Sequence, residues 1–192
     1  MIRKTQHTTQ SGHTITVLDG LFSTSEITGI HEGVLQLPYT ITQTNATEVQ
    51  NIEDRRLVSR LAPQHLDRFA LTTGKRESAI QQLVPKDWTV WNAYINLGVK
   101  SDVQEVHVDA YDDDGETKTL LYYANKEWHS HWGGETVFLD DEAQEIEYVV
   151  RYRPGRIVVF DSVIPHLAHV QTPLGPRYRF TVAIKFQGPN AR

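Results

Sequence analysis

The chain has 192 residues, of which 39% are hydrophobic, and its formal net charge is −5 at pH 7. This length fits a sizeable core, so we expect residues 1–192 to form a single domain. The negative charge, without a basic run to offset it, argues against a nucleic-acid partner. The longest apolar stretches are only strand-sized, which predicts no membrane partner and a cytoplasmic location. Because the chain has no cysteine, disulfides and thiolate metal sites are excluded, and any metal must bind His, Asp or Glu.

The first half of the chain mixes strand and helix signals. A short strand is predicted from Thr14, and Ser23 to Glu26 is typical of a capping box that opens a helix towards Leu37. The segment from Ile41 to Asp54 is polar and has no period, which favours a loop or lid. Between Arg55 and Pro85, the spacing of the apolar residues predicts two short amphipathic helices.

From Trp88 onwards the signal changes to short strands separated by turns. The predicted strands are Val90–Ile95, Lys118–Ala124, Thr136–Leu139, Glu145–Tyr152, Arg156–Phe160 and Arg177–Phe186. Strands of this length indicate an all-β sandwich or barrel. The sequence therefore predicts helical support over about residues 20–85 and a β core over about residues 88–187.

Three residues of the second half have the types and spacing of a metal site. His107 and Asp109 lie two apart on an extended segment, so both side chains point to the same side and can bind one ion. His166 follows a hydrophobic predicted strand, and we prefer it to His169 as the third ligand because Pro165 stiffens the chain before it. Two imidazoles and one carboxylate are the ligands of non-haem Fe(II) oxygenases, which leave positions open for a chelating co-substrate and for O2.

The last predicted strand alternates between an apolar and a polar face. Tyr178 and every second residue after it are apolar, and we expect them to pack against the helices. The polar face consists of Arg177, Arg179, Thr181 and Lys185. Beside a metal site, an arginine on this face suits paired hydrogen bonds to a dicarboxylate. Without such a site, the same residues would only face water.

A second histidine pair has the same two-residue spacing. His129 and His131 lie between two tryptophans, and no carboxylate follows at a useful offset. We therefore expect a loop with stacked aromatic rings there rather than a second metal site.

These motifs resemble the 2-oxoglutarate and Fe(II)-dependent dioxygenases of the prolyl 4-hydroxylase type. The likeness covers roughly Val90 to Phe186 and is closest to the catalytic domain of the hypoxia-inducible-factor prolyl hydroxylases. It is carried by Leu121 to Trp128, Gly133-Gly134, Pro165-His166 and Arg177 to Val182. The resemblance implies a mainly β fold, in which N-terminal helices pack on a double-stranded β-helix, also called a jelly roll or cupin-like core.

The resemblance also implies the ligands of the site. His107, Asp109 and His166 would bind Fe(II), with 2-oxoglutarate and O2 as co-substrates and ascorbate as a possible reductant.

Further residues would bind the 2-oxoglutarate. Arg177 would pair with its distal carboxylate, Tyr123 and Thr181 would hydrogen-bond to it, and Tyr94 would lie nearby. Arg179 is the second candidate for the carboxylate, because it offers an Arg-x-Thr pattern that other oxygenase branches use.

The implied reaction is hydroxylation of an unactivated C–H bond. The substrate would be a small metabolite or amino acid, or a prolyl or other residue of a peptide or protein. Because Asp109 supplies a carboxylate, no ligand position is left for a halide, which favours hydroxylation over halogenation. The alternative is a non-catalytic jelly-roll module that binds a metal or another ligand.

Overall fold

The computed structural model describes residues 1–43, 55–100, 102, 104–110 and 116–190. The strands are β1 Arg3–Thr8, β2 Thr14–Asp19, β3 Thr40–Gln43, β4 Arg55–Arg60, β5 Thr89–Val99, β6 Thr117–Tyr123, β7 Thr136–Leu139, β8 Ile146–Val150, β9 Ile157–Asp161, β10 His166–Ala168 and β11 Tyr178–Gln187. The α-helices are α1 Thr24–Leu35, α2 Pro63–Phe69 and α3 Glu77–Gln81, with short 3-10 turns at Gly74–Arg76 and Ser130–Trp132. The predicted mainly β fold is confirmed.

The strands form two antiparallel sheets. The larger sheet has eight strands in the order β1-β2-β9-β6-β11-β5-β4-β3, and the smaller has three in the order β10-β7-β8. Side chains from both sheets meet in one core cluster, which includes Tyr123 of β6, Phe138 of β7 and Phe160 of β9. The space between the sheets is therefore filled by apolar and aromatic side chains.

The helices pack on the other face of the large sheet. Ile30 and Val34 of α1 share a core cluster with Phe180, Val182 and Ile184 of β11. This confirms that the apolar face of the last strand packs against the helices. Its opposite face therefore points between the two sheets.

The predicted start of α1 is also confirmed. The Ser23 side chain accepts a hydrogen bond from the backbone N–H of Glu26, whose carboxylate accepts one from the backbone N–H of Ser23. This reciprocal capping satisfies two N–H groups that have no partner within the helix.

Two predictions for the N-terminal half differ from the structure. Thr40–Gln43 forms β3 rather than a loop, while residues 44–54 of the predicted lid lie outside the described residues. Arg55–Arg60 forms β4, although it lies within the stretch from Arg55 to Pro85 that was predicted to be helical. β4 pairs with β5, with Leu57 opposite Leu97, so tertiary pairing overrides the local period. The rest of the stretch from Arg55 to Pro85 contains α2 and α3, which are the two short helices that were predicted there.

The sequence prediction also missed β1. Its residues are almost all exposed, because β1 is an edge strand that pairs only with β2. It therefore lacks the alternation of a half-buried strand. Within the described part of the chain, no helix is both long and apolar enough to cross a membrane.

Candidate active site

Backbone pairing brings the two predicted histidine ligands together. The backbone N–H of His107 donates to the carbonyl of His166 at 3.0 Å, and the N–H of His166 donates back at 2.9 Å. The imidazole centroids are 4.4 Å apart. His107 lies outside the strands, and this pair of backbone hydrogen bonds fixes it against His166 of β10.

The same local contact orients both imidazoles. Nδ1 of His107 lies 3.1 Å from the carbonyl of Glu105, and Nδ1 of His166 lies 3.0 Å from the carbonyl of Ile164. Because a carbonyl can only accept, each Nδ1 donates, so Nε2 is the ring nitrogen that is left to bind a metal. Such a second hydrogen bond is what commonly fixes the tautomer of a metal-binding histidine.

The carboxylate of Asp109 is held from two sides. Thr119 of β6 donates its hydroxyl to Oδ2 at 2.7 Å, and Lys185 of β11 donates to Oδ1 at 2.7 Å. The backbone N–H of Asp109 donates to the carbonyl of Ser162 at 2.8 Å. Thr119 and Lys185 are directly opposite each other in the β6–β11 pairing, so strand register alone brings them to the same carboxylate.

The neighbouring groups keep Asp109 ionised although it is buried. Burial raises the pKa of a carboxyl group, but His166, Lys185 and the Thr119 hydroxyl outweigh it and lower the pKa of Asp109 to about 2. The Lys185 ammonium is partly desolvated, which lowers its pKa, yet the attraction of Asp109 gives a net rise. Both groups are therefore charged at neutral pH.

These residues fit a divalent transition metal. One ligand atom from each of His107, Asp109 and His166 lies within 4.8 Å of the other two, and this is the only such His, Cys, Asp or Glu group among the described residues. Two imidazoles with one carboxylate suit Fe(II). The rival ligand His169 lies outside the group, with Nδ1 3.7 Å from Glu135.

A cavity extends from the triad between the two sheets. It is lined by Tyr94, Asn96, Gln104, His107, Asp109, Leu121, Thr136, His166, Ala168, Arg179, Thr181 and Ala183. Three of the residues predicted to bind 2-oxoglutarate are therefore among its walls: Tyr94, Thr181 and Arg179. The hydroxyl of Tyr123 lies 2.7 Å from that of Thr136, a wall residue, and burial raises the pKa of Tyr123, so it remains a neutral phenol.

Arg179 is a buried cation in the wall of this cavity. Its Nε donates to the carbonyl of Gly134 at 3.0 Å, and its guanidinium carbon lies 5.1 Å from the centroid of the Tyr152 ring. No carboxylate of the described residues lies within ion-pair distance of it. Burial lowers the pKa of Arg179, and the nearby carboxylate of Glu135 is among the groups that oppose this, but it forms no ion pair with the guanidinium. A buried arginine without an ion pair in the part of the chain that the structure describes is suited to bind an anion.

Gly134 makes room for this arginine. Its φ is 77°, and a Cβ at this position would lie 2.9 Å from the Trp128 ring and 3.1 Å from Nε of Arg179. Glycine is therefore required here both for the backbone conformation and for the close approach.

The structure places Arg177 elsewhere. Its side chain is exposed and lines a separate cleft beside Trp132 and Tyr178, not the cavity that contains the triad. Arg177 precedes β11, whereas Arg179 lies within the strand and points between the sheets. The preference for Arg177 came from the family resemblance, whereas the second candidate, Arg179 of the Arg-x-Thr pattern, is the one that lines the cavity.

Two residues at the carboxylate were not singled out from the sequence. Lys185 was placed on the correct face of the last strand but was given no role, and Thr119 was not noticed. The alternation of β11 carried a signal for Lys185. Thr119 had no local signal, because its contact with Asp109 depends on the register between β6 and β11.

The second histidine pair behaves as predicted. The rings of His129 and His131 are stacked with centroids 5.7 Å apart, and Trp132 packs edge-on against them. They belong to no metal-binding group among the described residues.

The fold and site together define a class of protein, the non-haem metal-dependent oxygenases. Residues 92–185, just under half of the chain, match the model of the 2OG-Fe(II) oxygenase superfamily. The protein's cofactor is accordingly Fe(II), its co-substrate is 2-oxoglutarate, and it is a 2-oxoglutarate-dependent dioxygenase. No curated protein matched the sequence.

Solved structures share the fold at low sequence identity. HygX from Streptomyces hygroscopicus, solved with nickel and 2-oxoglutarate bound, is 11% identical with a TM-score of 0.65, covering 92% of this chain and 83% of HygX. A Pseudomonas putida prolyl-4-hydroxylase is 17% identical with a TM-score of 0.63, covering 94% of this chain and 95% of its own. A Trichoplax adhaerens prolyl hydroxylase, in complex with a peptide fragment of a hypoxia-inducible factor, is 17% identical with a TM-score of 0.60, covering 90% of this chain and 83% of its own.

These likenesses support the jelly-roll core that the motifs implied. The particular closeness to the hypoxia-inducible-factor prolyl hydroxylases stays a prediction at identities of this size, as do ascorbate and the cytoplasmic location.

Proposed function

We propose that this enzyme hydroxylates an unactivated C–H bond. One substrate C–H bond, one O2 and one 2-oxoglutarate would give the alcohol, succinate and CO2. One oxygen atom of O2 enters the new hydroxyl group, and the other enters succinate. Bound Fe(II) supplies the O2 chemistry, and the protein supplies binding, orientation and exclusion of water.

The metal would be held by His107, Asp109 and His166. Their Nε2 atoms and carboxylate are already oriented by the Nδ1 contacts and by Thr119. Preorganised ligands of this kind cost little rearrangement on binding.

Arg179 would bind the distal carboxylate of 2-oxoglutarate, in place of Arg177. The observation that carries this proposal is the buried guanidinium, which lines the same cavity as the triad and forms no ion pair among the described residues. A guanidinium binds a carboxylate by two parallel hydrogen bonds. Thr181 in the cavity wall and Tyr123, through its contact with Thr136, would add hydroxyl groups beside it.

The substrate would be a small metabolite or amino acid, or a prolyl or other residue of a peptide. Two kinds of solved structure support these classes: HygX, which has been solved with hygromycin B bound, and prolyl hydroxylases, one of them in complex with a peptide. Succinate release, measured with Fe(II) and 2-oxoglutarate across free amino acids and proline-containing peptides, tests the proposal. We expect at least one class to stimulate release and to gain one oxygen atom by mass spectrometry.

Asp109→Ala is the matched control, because it removes one metal ligand. It should abolish stimulated release. If the wild-type protein binds Fe(II) and 2-oxoglutarate but never oxidises a member of either class, the non-catalytic module becomes the better account.

A further inference from the structure

Lys185 forms an ion pair with a ligand of the proposed metal site. Its Nζ lies 2.7 Å from Oδ1 of Asp109, and the two side chains are 11% and 5% exposed. The same Nζ lies 5.5 Å from the centroid of the Trp91 ring and 5.6 Å from that of Tyr94. The ammonium group therefore has a defined position rather than a mobile one.

A β-bulge contributes to this position. In the β11–β5 pairing, Lys185 is opposite Asn92 and Phe186 is opposite Val90, so Trp91 is the extra residue. A bulge turns a side chain away from its regular direction. Here the bulged residue places its indole ring next to the ammonium group.

The two carboxylate oxygens of Asp109 have different partners. Oδ1 is bound by Lys185, while Oδ2 receives the Thr119 hydroxyl and lies 3.8 Å from Nε2 of His166. Oδ2 is thus the oxygen on the side of the histidine ligands. In the protein without ligands, the buried charge of Asp109 is balanced by Lys185.

A divalent cation changes this balance. When the metal binds Asp109, a positive charge is already in contact with the same carboxylate, and like charges in a poorly solvated site repel. An anionic chelating ligand removes the excess positive charge. Lys185 therefore opposes binding of the metal alone and favours binding of the metal together with an anion.

We propose that Lys185 is a positioning residue that makes tight metal binding depend on an anionic co-ligand. This inference rests on the proposed function of the triad. Thermodynamic linkage requires the effect to be reciprocal, so Lys185 also strengthens binding of the chelating anion to the metal-loaded protein.

The test is calorimetric titration of Mn²⁺ into the anaerobic full-length protein, alone and with saturating oxalate. Oxalate is a chelating dianion without the distal carboxylate for which Arg179 is proposed, so it isolates the effect of Lys185. In Lys185→Met, we expect Mn²⁺ alone to bind at least tenfold more tightly than in the wild type. We also expect the enhancement of Mn²⁺ affinity by oxalate to fall at least tenfold.

Lys118→Met is the matched control. Lys118 forms a partly buried ion pair with Asp161 on β9. It precedes Thr119 on β6, so its side chain points to the opposite face of the strand from the one that contacts Asp109, and its loss should change stability but neither titration. Lys185→Arg keeps the charge and should keep most of the enhancement. Thermal melting of each variant checks that it is folded, and Lys185→Gln replaces Lys185→Met if the latter unfolds.

The outcomes separate this inference from the proposed function. If wild-type protein binds Mn²⁺ and oxalate but Lys185→Met gives the same two affinities, the inference about Lys185 is wrong and the triad stands. Weaker Mn²⁺ binding by Lys185→Met in the absence of oxalate also overturns it. If the wild-type protein binds no Mn²⁺ under either condition, the metal site itself is wrong.

Discussion

Replacing Arg179 by Gln tests the proposal that Arg179 binds the distal carboxylate of 2-oxoglutarate. Arg179 is buried in the cavity of the triad and forms no ion pair among the described residues, whereas Arg177 is exposed outside the cavity. Each charge-assisted hydrogen bond contributes about 1.5–3 kcal/mol, and glutamine retains at most one neutral bond of about 1 kcal/mol. The net loss is about 3 kcal/mol, or roughly a hundredfold in 2-oxoglutarate affinity.

The assay is the 2-oxoglutarate dependence of succinate formation, supported by direct binding of 2-oxoglutarate to the metal-loaded protein without O2. Arg177→Gln is the matched control, and it should change the affinity by less than about threefold because an exposed charge is screened. Mn²⁺ affinity in the absence of 2-oxoglutarate should be the same in both variants. An equal or larger loss in Arg177→Gln would refute the assignment of Arg179.

Three further variants test the surroundings of the site and the fold. Thr119→Val removes the hydroxyl that holds Oδ2 of Asp109, so metal affinity measured by calorimetry should fall about 10–100-fold; unchanged affinity would show that Thr119 is dispensable. The pKa of Asp109 is lowered from 3.8 to about 2 in the folded, ligand-free protein, so this carboxylate stabilises the fold above about pH 4 and loses that effect as the pH falls towards 2. In Asp109→Asn, urea unfolding should therefore show a shallower loss of stability over this interval, and an unchanged slope would contradict the ion pair. Ser23→Ala removes the capping hydroxyl of α1 and should cost about 1 kcal/mol in the same assay without changing metal affinity; a cost near zero would show that the cap is not needed.

The faces of β11, the shared side of His107 and Asp109 and the start of α1 could be predicted from the sequence, because each depends on residues close together in the chain. The alternation from Tyr178 onwards predicted which face of β11 meets the helices, because strand side chains alternate strictly. The spacing of His107 and Asp109 predicted that they share a side, and the capping box predicted where α1 begins.

Features that depend on register or on strand ends were not predictable in this way. Arg177 and Arg179 are two residues apart, so strand alternation alone would place them on the same face. Arg177 is exposed because β11 begins only after it, whereas Arg179 lies within β11 and is hydrogen-bonded to Gly134. Leu57 of β4 precedes Leu61 by four residues, which is a helical spacing, but the pairing of β4 with β5 decides its structure. Lys185 and Thr119 are far apart in sequence and meet at Asp109 only because β6 and β11 pair in that register.

The central claim is that His107, Asp109 and His166 hold Fe(II) together with 2-oxoglutarate. Its most direct test is an anaerobic titration of the protein with Fe(II) and 2-oxoglutarate. The readout is the weak visible charge-transfer absorption of the chelate. We predict a saturable band with one equivalent of Fe(II) in the wild type and no band in Asp109→Ala or His166→Ala. A wild-type protein without the band, or an Asp109→Ala variant that keeps both the band and the wild-type metal affinity, would contradict the claim.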